Sequence, residues 1–367
     1  MKIVTVIGAR PQIIKAAALS RAIREHFAKE VQEVIVHTGQ HYDDNMSQVF
    51  FDELGIPQPD YNIGVGSGSH GVQTAKMMEG IEEILLKEKP DAVVLYGDTN
   101  STLAGAMAAS KANIPVVHIE AGLRSFNKAM PEEINRICCD HCSTLLFSPT
   151  ATGYRNLINE GIMKGIYHCG DVMYDNSKYF ANIADKKSHI IDNEGLRGVD
   201  YVLCTIHRDN NTDQPKRLNA IFKALLKISE SKTVVLPLHP RTSKLLNTNL
   251  EKDLYNKITN NKNIKILPPV SFLDMIVLER HAQMIATDSG GVQKEAFFFQ
   301  KPCLILRSET EWKEIVECGS AVITDADEER IVESFNNFVE NPPHNYPEIF
   351  GDGNAAVFII KEMLENL

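Results

Sequence analysis

The sequence has no apolar run long enough to span a bilayer, so no membrane-crossing helix is expected. It has no excess of positive charge. Lysine and arginine number 38 against 48 aspartates and glutamates, a net charge of −10, so the basic footprint of a nucleic-acid surface is missing. An acidic balance still permits an anionic small ligand, because a few arginines and helix N-termini can hold phosphates locally. The seven cysteines are odd in number and scattered, which gives no disulfide framework. One cluster, "ICCDHC", puts Cys138, Cys139, His141 and Cys142 on a helix, but no second CxxC or HxxxH pair completes a tetrahedral zinc site. Packing is their expected role, and no metal is expected. The dinucleotide fingerprint G-x-G-x-x-G is absent too: the first loop, "GARPQ", offers only Gly8. The opening "MKIVTVIGARP" breaks at Gly8 and Pro11 and reads as a strand rather than an export signal, so a cytoplasmic protein is expected.

What is present is a repeated alternation of short β-branched runs and helices. With 367 residues, two domains are expected. "KIVTVIG", "VQEVIVHTG", "PDAVVLYGD", "IPVVHIEAG" and "TLLFSPT" read as strands buried on both faces, the pattern of a parallel sheet. The chain turns polar over 183–199 and the alternation restarts with "YVLCTIH", "KTVVLPLHP", "NIKILPP", "AQMIATDSG" and "KPCLILRSE". The halves share a local plan. One runs strand, Asp98, small-residue helix, Pro115, strand, Glu120; the other runs strand, Asp288, Gly-rich turn, helix, Pro302, strand, Glu309. Two doubly wound, Rossmann-like α/β domains facing a central cleft are the expected architecture. The amphipathic last helix, "NAAVFIIKEMLENL", could pack on either half.

Ligands of such sheets bind beyond the carboxyl ends of the strands, so the loops there carry the candidates. Arg10 follows the first strand, where a guanidinium could clamp a phosphate or pair with a nearby acid. In "TDSGGVQKEA", residues 287–296, apolar residues run into Asp-Ser-Gly-Gly and then a helix. Gly290 lets a ligand approach the backbone, Ser289 adds a hydroxyl, and Glu295 is within reach of ribose hydroxyls. The plainer reading is a tight turn with Ser289 or Asp288 as N-cap. His207 and Arg208 in "CTIHRDN", and His239 and Arg241 in "PLHPR", are two strand-end His/Arg pairs, and a histidine beside a diphosphate would assist its departure. Acids gather in the first half: Asp98 in "YGDTNST", Glu120 in "HIEAGLRS", and Glu132 and Glu133 in "MPEEINR". Glutamates at a helix start also complement its dipole, which suffices for one of that pair, Glu133.

Taken in order, "GARPQIIK", "GDTNST", "HIEAGLRS", "MPEEINR", "TIHR" and "TDSGGVQKEA" resemble the non-hydrolysing UDP-N-acetylglucosamine 2-epimerases, over residue 3 to about 320. The resemblance implies a GT-B type fold, with one domain of residues 1–175 rejoined by 354–367 and a second of 176–353. It also implies a UDP-sugar substrate, no cofactor, a homodimer and a role in supplying surface-polysaccharide precursors. Catalytic residues carried over by position are Asp98, Glu120 and Glu132, with His207 near the diphosphate. Arg10, Ser289, Gly290 and Glu295 would hold UDP, and Phe272 in "PPVSFLDM" would lie at the uracil. There are departures from the family pattern. "TEWKE" puts Trp312 and Lys313 where T-E-R-P-E is usual, the segment from Arg124 to Pro131 is short, and "HTGQHYDDNM" differs from the A-Q-H pattern tied to an activating second UDP-GlcNAc. These resemble the branch that acts on UDP-2,3-diacetamido-2,3-dideoxyglucuronic acid, for which a positive Lys313 would suit the uronate. A GT-B glycosyltransferase and a non-catalytic nucleotide-sugar sensor are the competing classes.

Overall fold

A computed structural model describes residues 1–39, Gly55, 57–238 and 240–367. The "GQHYDDNM" part of the activator-site pattern, apart from Gly39, and His239 lie outside the described residues. The chain forms two compact units: residues 1–176 with 348–367, and residues 177–347.

Seven parallel strands make the sheet of the first unit: β1 (Lys2–Ile7), β2 (Gln32–His37), β3 (Tyr61–Asn62), β4 (Ala92–Tyr96), β5 (Val116–Ile119), β6 (Leu145–Ser148) and β7 (Ile166–His168). Their order is β3-β2-β1-β4-β5-β6-β7. The second unit has six: β8 (Tyr201–Thr205), β9 (Thr233–Pro237), β10 (Ile264–Leu267), β11 (Met284–Thr287), β12 (Cys303–Ile305) and β13 (Ala321–Ile323). They run β10-β9-β8-β11-β12-β13, again all parallel. In each sheet the order reverses direction at one point, between β1 and β4 and between β8 and β11. The loops leaving those strands splay to opposite faces, which opens a crevice at the strand ends.

The β-branched runs become central strands because helices cover both of their faces; β4, β8 and β11 are buried along their whole length. In the first unit Val4, Val93 and Leu95 pack with Met77, Ile81 and Leu85 of helix His70–Glu88 and with the alanines of helix Asn100–Lys111. That second helix lies close to the sheet because its facing residues are small. A Cβ on Gly105 would come within 2.5 Å of Leu95 Cδ2. The second core is built alike, from Val202, Cys204, Val234, Leu236, Met284 and Ala286 under Leu218, Phe222 and Leu225. Each such fully buried aliphatic or aromatic side chain contributes about 2 kcal/mol. Helix Ala355–Asn366 belongs to the first unit, where it packs on helix Arg10–His26. Asp175 ties it there, its two carboxylate oxygens accepting from Ala355 N at 3.1 Å and Ala356 N at 2.8 Å. Among the described residues, no helix is long and apolar enough to cross a membrane.

Candidate active site

In the first unit the loops after β4 and β5 bring Asp98 and Glu120 together. Gly97 turns the chain with φ of +62°, and a Cβ there would meet Glu120 Oε2 and Lys15 Nζ, each at 3.1 Å. Glu120 itself has φ of +73°, an uncommon conformation for a residue with a Cβ and one that concentrates at functional sites. Its carboxylate is ion-paired with Lys15 of helix Arg10–His26. Asp98 pairs with Arg136 of helix Pro131–Cys142 at 2.5 Å. Burial raises the Asp98 pKa above the ordinary carboxylate value; Arg136 and Lys15 oppose that shift and Glu120 adds to it. Two acids and two cations therefore share one end of the sheet.

Pattern reading missed the groups that hold this arrangement. Gln12 is buried and joins the loop after β1 to the end of β4 and to helix Asn100–Lys111: its Oε1 accepts from Gly8 N and Ala9 N, and its Nε2 donates to Tyr96 O and Thr102 Oγ1. His118, fully buried in β5, has Nδ1 2.6 Å from Asp140 Oδ1 and Nε2 2.8 Å from Gly97 O. Both ring nitrogens face acceptors, so the ring is an imidazolium. Burial alone would lower its pKa, but Cys139 and Asp140 raise it well above the ordinary histidine value. Asp140 also accepts from Gly122 N at 3.1 Å and pairs with Arg124 at 2.7 Å, and Arg124 holds Glu160 with two 2.7 Å bonds. One His–Asp pair thus braces the backbone on both sides of the acids, at Gly97 and at Gly122.

The two glutamates of "MPEEINR" separate. Glu133 is buried and accepts from Ser125 N, Phe126 N and Arg136, fastening the loop to the helix start. Glu132, one residue earlier, is exposed. No contact joins Glu132 to Asp98 or Glu120 among the described residues. Arg10 is exposed at the first residue of its helix. The cysteine cluster packs: Cys139 is fully buried, Cys142 Sγ lies 4.0 Å from Met107 Sδ, and His141 pairs with Glu160 at 3.4 Å.

In the second unit the strand-end acid has a different use. Asp288 is fully buried and accepts from His207 N at 2.9 Å, Arg208 N at 3.1 Å and Asn211 Nδ2 at 3.0 Å. It locks the loop after β8 to the loop after β11. His207 is held by its backbone, its side chain 43% exposed and 4.0 Å from Asp288. Ser289, and not Asp288, caps helix Gly290–Phe298, accepting from Val292 N. Neither Gly290 nor Gly291 is required to be glycine by conformation or by the protein's own packing, since a Cβ on either would meet nothing nearer than 3.7 Å. Two side-chain-free positions, with room for a Cβ, at the N–H groups of a helix start suit a phosphate. Glu295 is half-buried in that helix. Phe272 is buried with its ring edge-on to Phe180, centroids 5.3 Å apart.

Comparison with known proteins places this geometry. The family model for UDP-N-acetylglucosamine 2-epimerase matches residues 22–364. The chain belongs to that family. A UDP-N-acetylglucosamine 2-epimerase homolog of Methanococcus maripaludis is 51% identical over all of both chains. A UDP-2,3-diacetamido-2,3-dideoxy-D-glucuronate 2-epimerase of Pseudomonas aeruginosa is 47% identical over 97% of each. The crystal structure of Methanocaldococcus jannaschii UDP-GlcNAc 2-epimerase in complex with UDP-GlcNAc and UDP matches with a TM-score of 0.87 at 41% identity, covering both chains completely. The fold of this family member is accordingly of GT-B type, with its two Rossmann-like parallel sheets.

The departure at "TEWKE" has a structural function. Trp312 is buried, and its Nε1 donates to Gly290 O at 3.0 Å. Lys294 lies over its ring, 4.2 Å from the centroid. Arg307 and Glu311 form a two-bond pair beside Gly290. The segment therefore braces the glycine turn from below, while Lys313 begins the next short helix at the surface.

Proposed function

We propose that this protein is a non-hydrolysing UDP-N-acetylglucosamine 2-epimerase, interconverting UDP-GlcNAc and UDP-ManNAc by inversion at C2. The observation that carries this reading is the convergence of Asp98, paired with Arg136, and Glu120, paired with Lys15, in a member of a 2-epimerase family. The C2 proton is not acidic in the intact sugar. When the anomeric C–O bond breaks, UDP leaves with the electron pair and the ring becomes oxocarbenium-like, which acidifies C2. A carboxylate removes that proton, giving the 2-acetamidoglucal. A second acid returns a proton to the opposite face of C2, and UDP re-adds at C1.

This route needs acid/base groups on two faces and negative charge near the cation. Asp98, with its raised proton affinity, suits the proton-holding role, and Glu120 beside Lys15 suits the ionised one. Exposed Glu132 is the third carboxylate. In the second unit the N–H groups from Gly290 onward and Ser289 take the diphosphate, Glu295 the ribose and the Phe272 region the uracil. His207 meets the leaving phosphate, and Arg10 supplies a further guanidinium. The same reading carries a cytoplasmic homodimer that feeds surface-polysaccharide synthesis, and sedimentation analysis of the purified protein tests the dimer.

The test is incubation with UDP-GlcNAc in D2O. Deuterium at C2 together with UDP-ManNAc is expected. Transfer to an acceptor without C2 exchange would instead make it a glycosyltransferase, and binding without turnover a sensor. The relative at 47% identity makes the diacetamido uronate the second substrate to assay. Faster exchange on the uronate would keep the reaction and change the sugar.

A further inference from the structure

Helix Phe272–His281 carries a glutamate where its own spacing calls for an apolar residue. Phe272, Ile276 and Glu279 fall on one face at i, i+4 and i+7, and all three are buried. Glu279 has no exposed surface, and neither of its carboxyl oxygens has a hydrogen-bond donor among the described residues. A carboxylate left there would be desolvated without compensation, so the neutral acid is the form that fits. What faces it is a second carboxyl, Glu295 of the adjoining helix Gly290–Phe298. Tyr201 of β8 is also near, but its hydroxyl donates to Leu278 O at 2.6 Å. Burial first, and the Glu295 carboxylate second, push the Glu279 pKa well above the usual carboxylate range.

We infer that Glu279, as the neutral acid, donates a hydrogen bond to the Glu295 carboxylate and so fixes the orientation in which Glu295 receives the two ribose hydroxyls of the nucleotide. The inference rests on the assignment of Glu295 to the ribose. A carboxylate offers about four acceptor positions. A donor held on one of them sets the plane of the group and keeps the negative charge on Glu295, leaving the remaining positions for two vicinal hydroxyls. Glu279 touches no substrate and is a positioning residue.

The test compares Glu279→Gln, which keeps an N–H donor, with Glu279→Met, which keeps the volume and removes it. Binding of UDP and of 2′,3′-dideoxy-UDP is measured for each variant and the wild type. Glu279→Met is expected to lose about tenfold in UDP affinity, the scale of one hydrogen bond to a charged group, with dideoxy-UDP affinity unchanged. Glu279→Gln is expected to restore most of the preference for ribose. An unchanged UDP-to-dideoxy ratio in Glu279→Met overturns the role of Glu279. Should that variant fail to fold, the infrared band of a protonated buried carboxyl decides. It is expected at neutral pH in the wild type and missing in Glu279→Gln, and its absence from the wild type overturns the proposal. A wild type that fails to bind UDP sinks the nucleotide reading itself, a result distinct from either.

Discussion

The loops that follow β4 and β11 are built on one plan and put to opposite uses. Each strand ends at a topological switch point, and each is followed by an aspartate and a helix, one of small residues throughout and one that opens on two glycines. In the first unit Asp98 stays partly exposed, paired with Arg136 and within reach of Glu120. In the second, Asp288 is fully buried and its acceptors are taken by backbone and amide N–H groups. The first aspartate keeps chemistry open, because a carboxylate beside a cation can still exchange a proton. The second gives it up to fix two loops beside the Gly290 turn. Where the fold repeats, the donors around the strand-end acid differ: one arginine at Asp98, against two backbone N–H groups and an amide at Asp288.

Four substitutions test that division. The largest effect is expected from Glu120→Gln: turnover should fall about 10³-fold, in the range of lost acid–base catalysis, with UDP affinity within about threefold. Wild-type turnover in that variant would make Glu120 a structural partner of Lys15 and erase the contrast. Next comes Asp288→Asn, which exchanges an acceptor oxygen for an amide facing N–H donors. It should cost about 2–3 kcal/mol in urea denaturation, whereas Asp98→Asn should cost under about 1 kcal/mol. Equal losses would mean that both aspartates are scaffolding. The smallest is Ser289→Ala, expected to raise KM for the UDP-sugar about fivefold with kcat held and to remove a cap worth about 1 kcal/mol. A fall in kcat alone would move Ser289 out of the binding half.

The alternation of apolar runs and helices was readable from sequence because parallel strands buried on both faces leave long β-branched stretches. That Asp98 and Glu120 follow strands, and that 287–296 turns from a strand into a helix, was readable because the apolar runs end just before them. The supports were not. His118 looks like any polar residue inside "VVHI", and its partner Asp140 comes 22 residues later on a helix. Gln12 reaches Tyr96 across 84 positions. Such pairs exist only once the sheet order is set, and no local period announces them. Helix phase gives the same separation of Glu132 from Glu133 that the helix-start reading gave, since Glu133 lies three residues before Arg136 and shares its buried face. Trp312 hid a support in another way. As a departure it pointed to the sugar, and what its local sequence did not show is its contact with Gly290 and Lys294.

The bond from Asp175 to Ala355 and Ala356 has a consequence for the order of events during synthesis. The chain leaves the first unit one residue after Asp175 and does not return until Glu348. On a ribosome, every residue of the second unit emerges before the N–H groups that Asp175 requires. The continuous second unit has all its parts in hand while the first, though begun earlier, still waits with an unpaired acid and an uncovered helix. The domain that starts first is finished last, and a single carboxylate marks the seam.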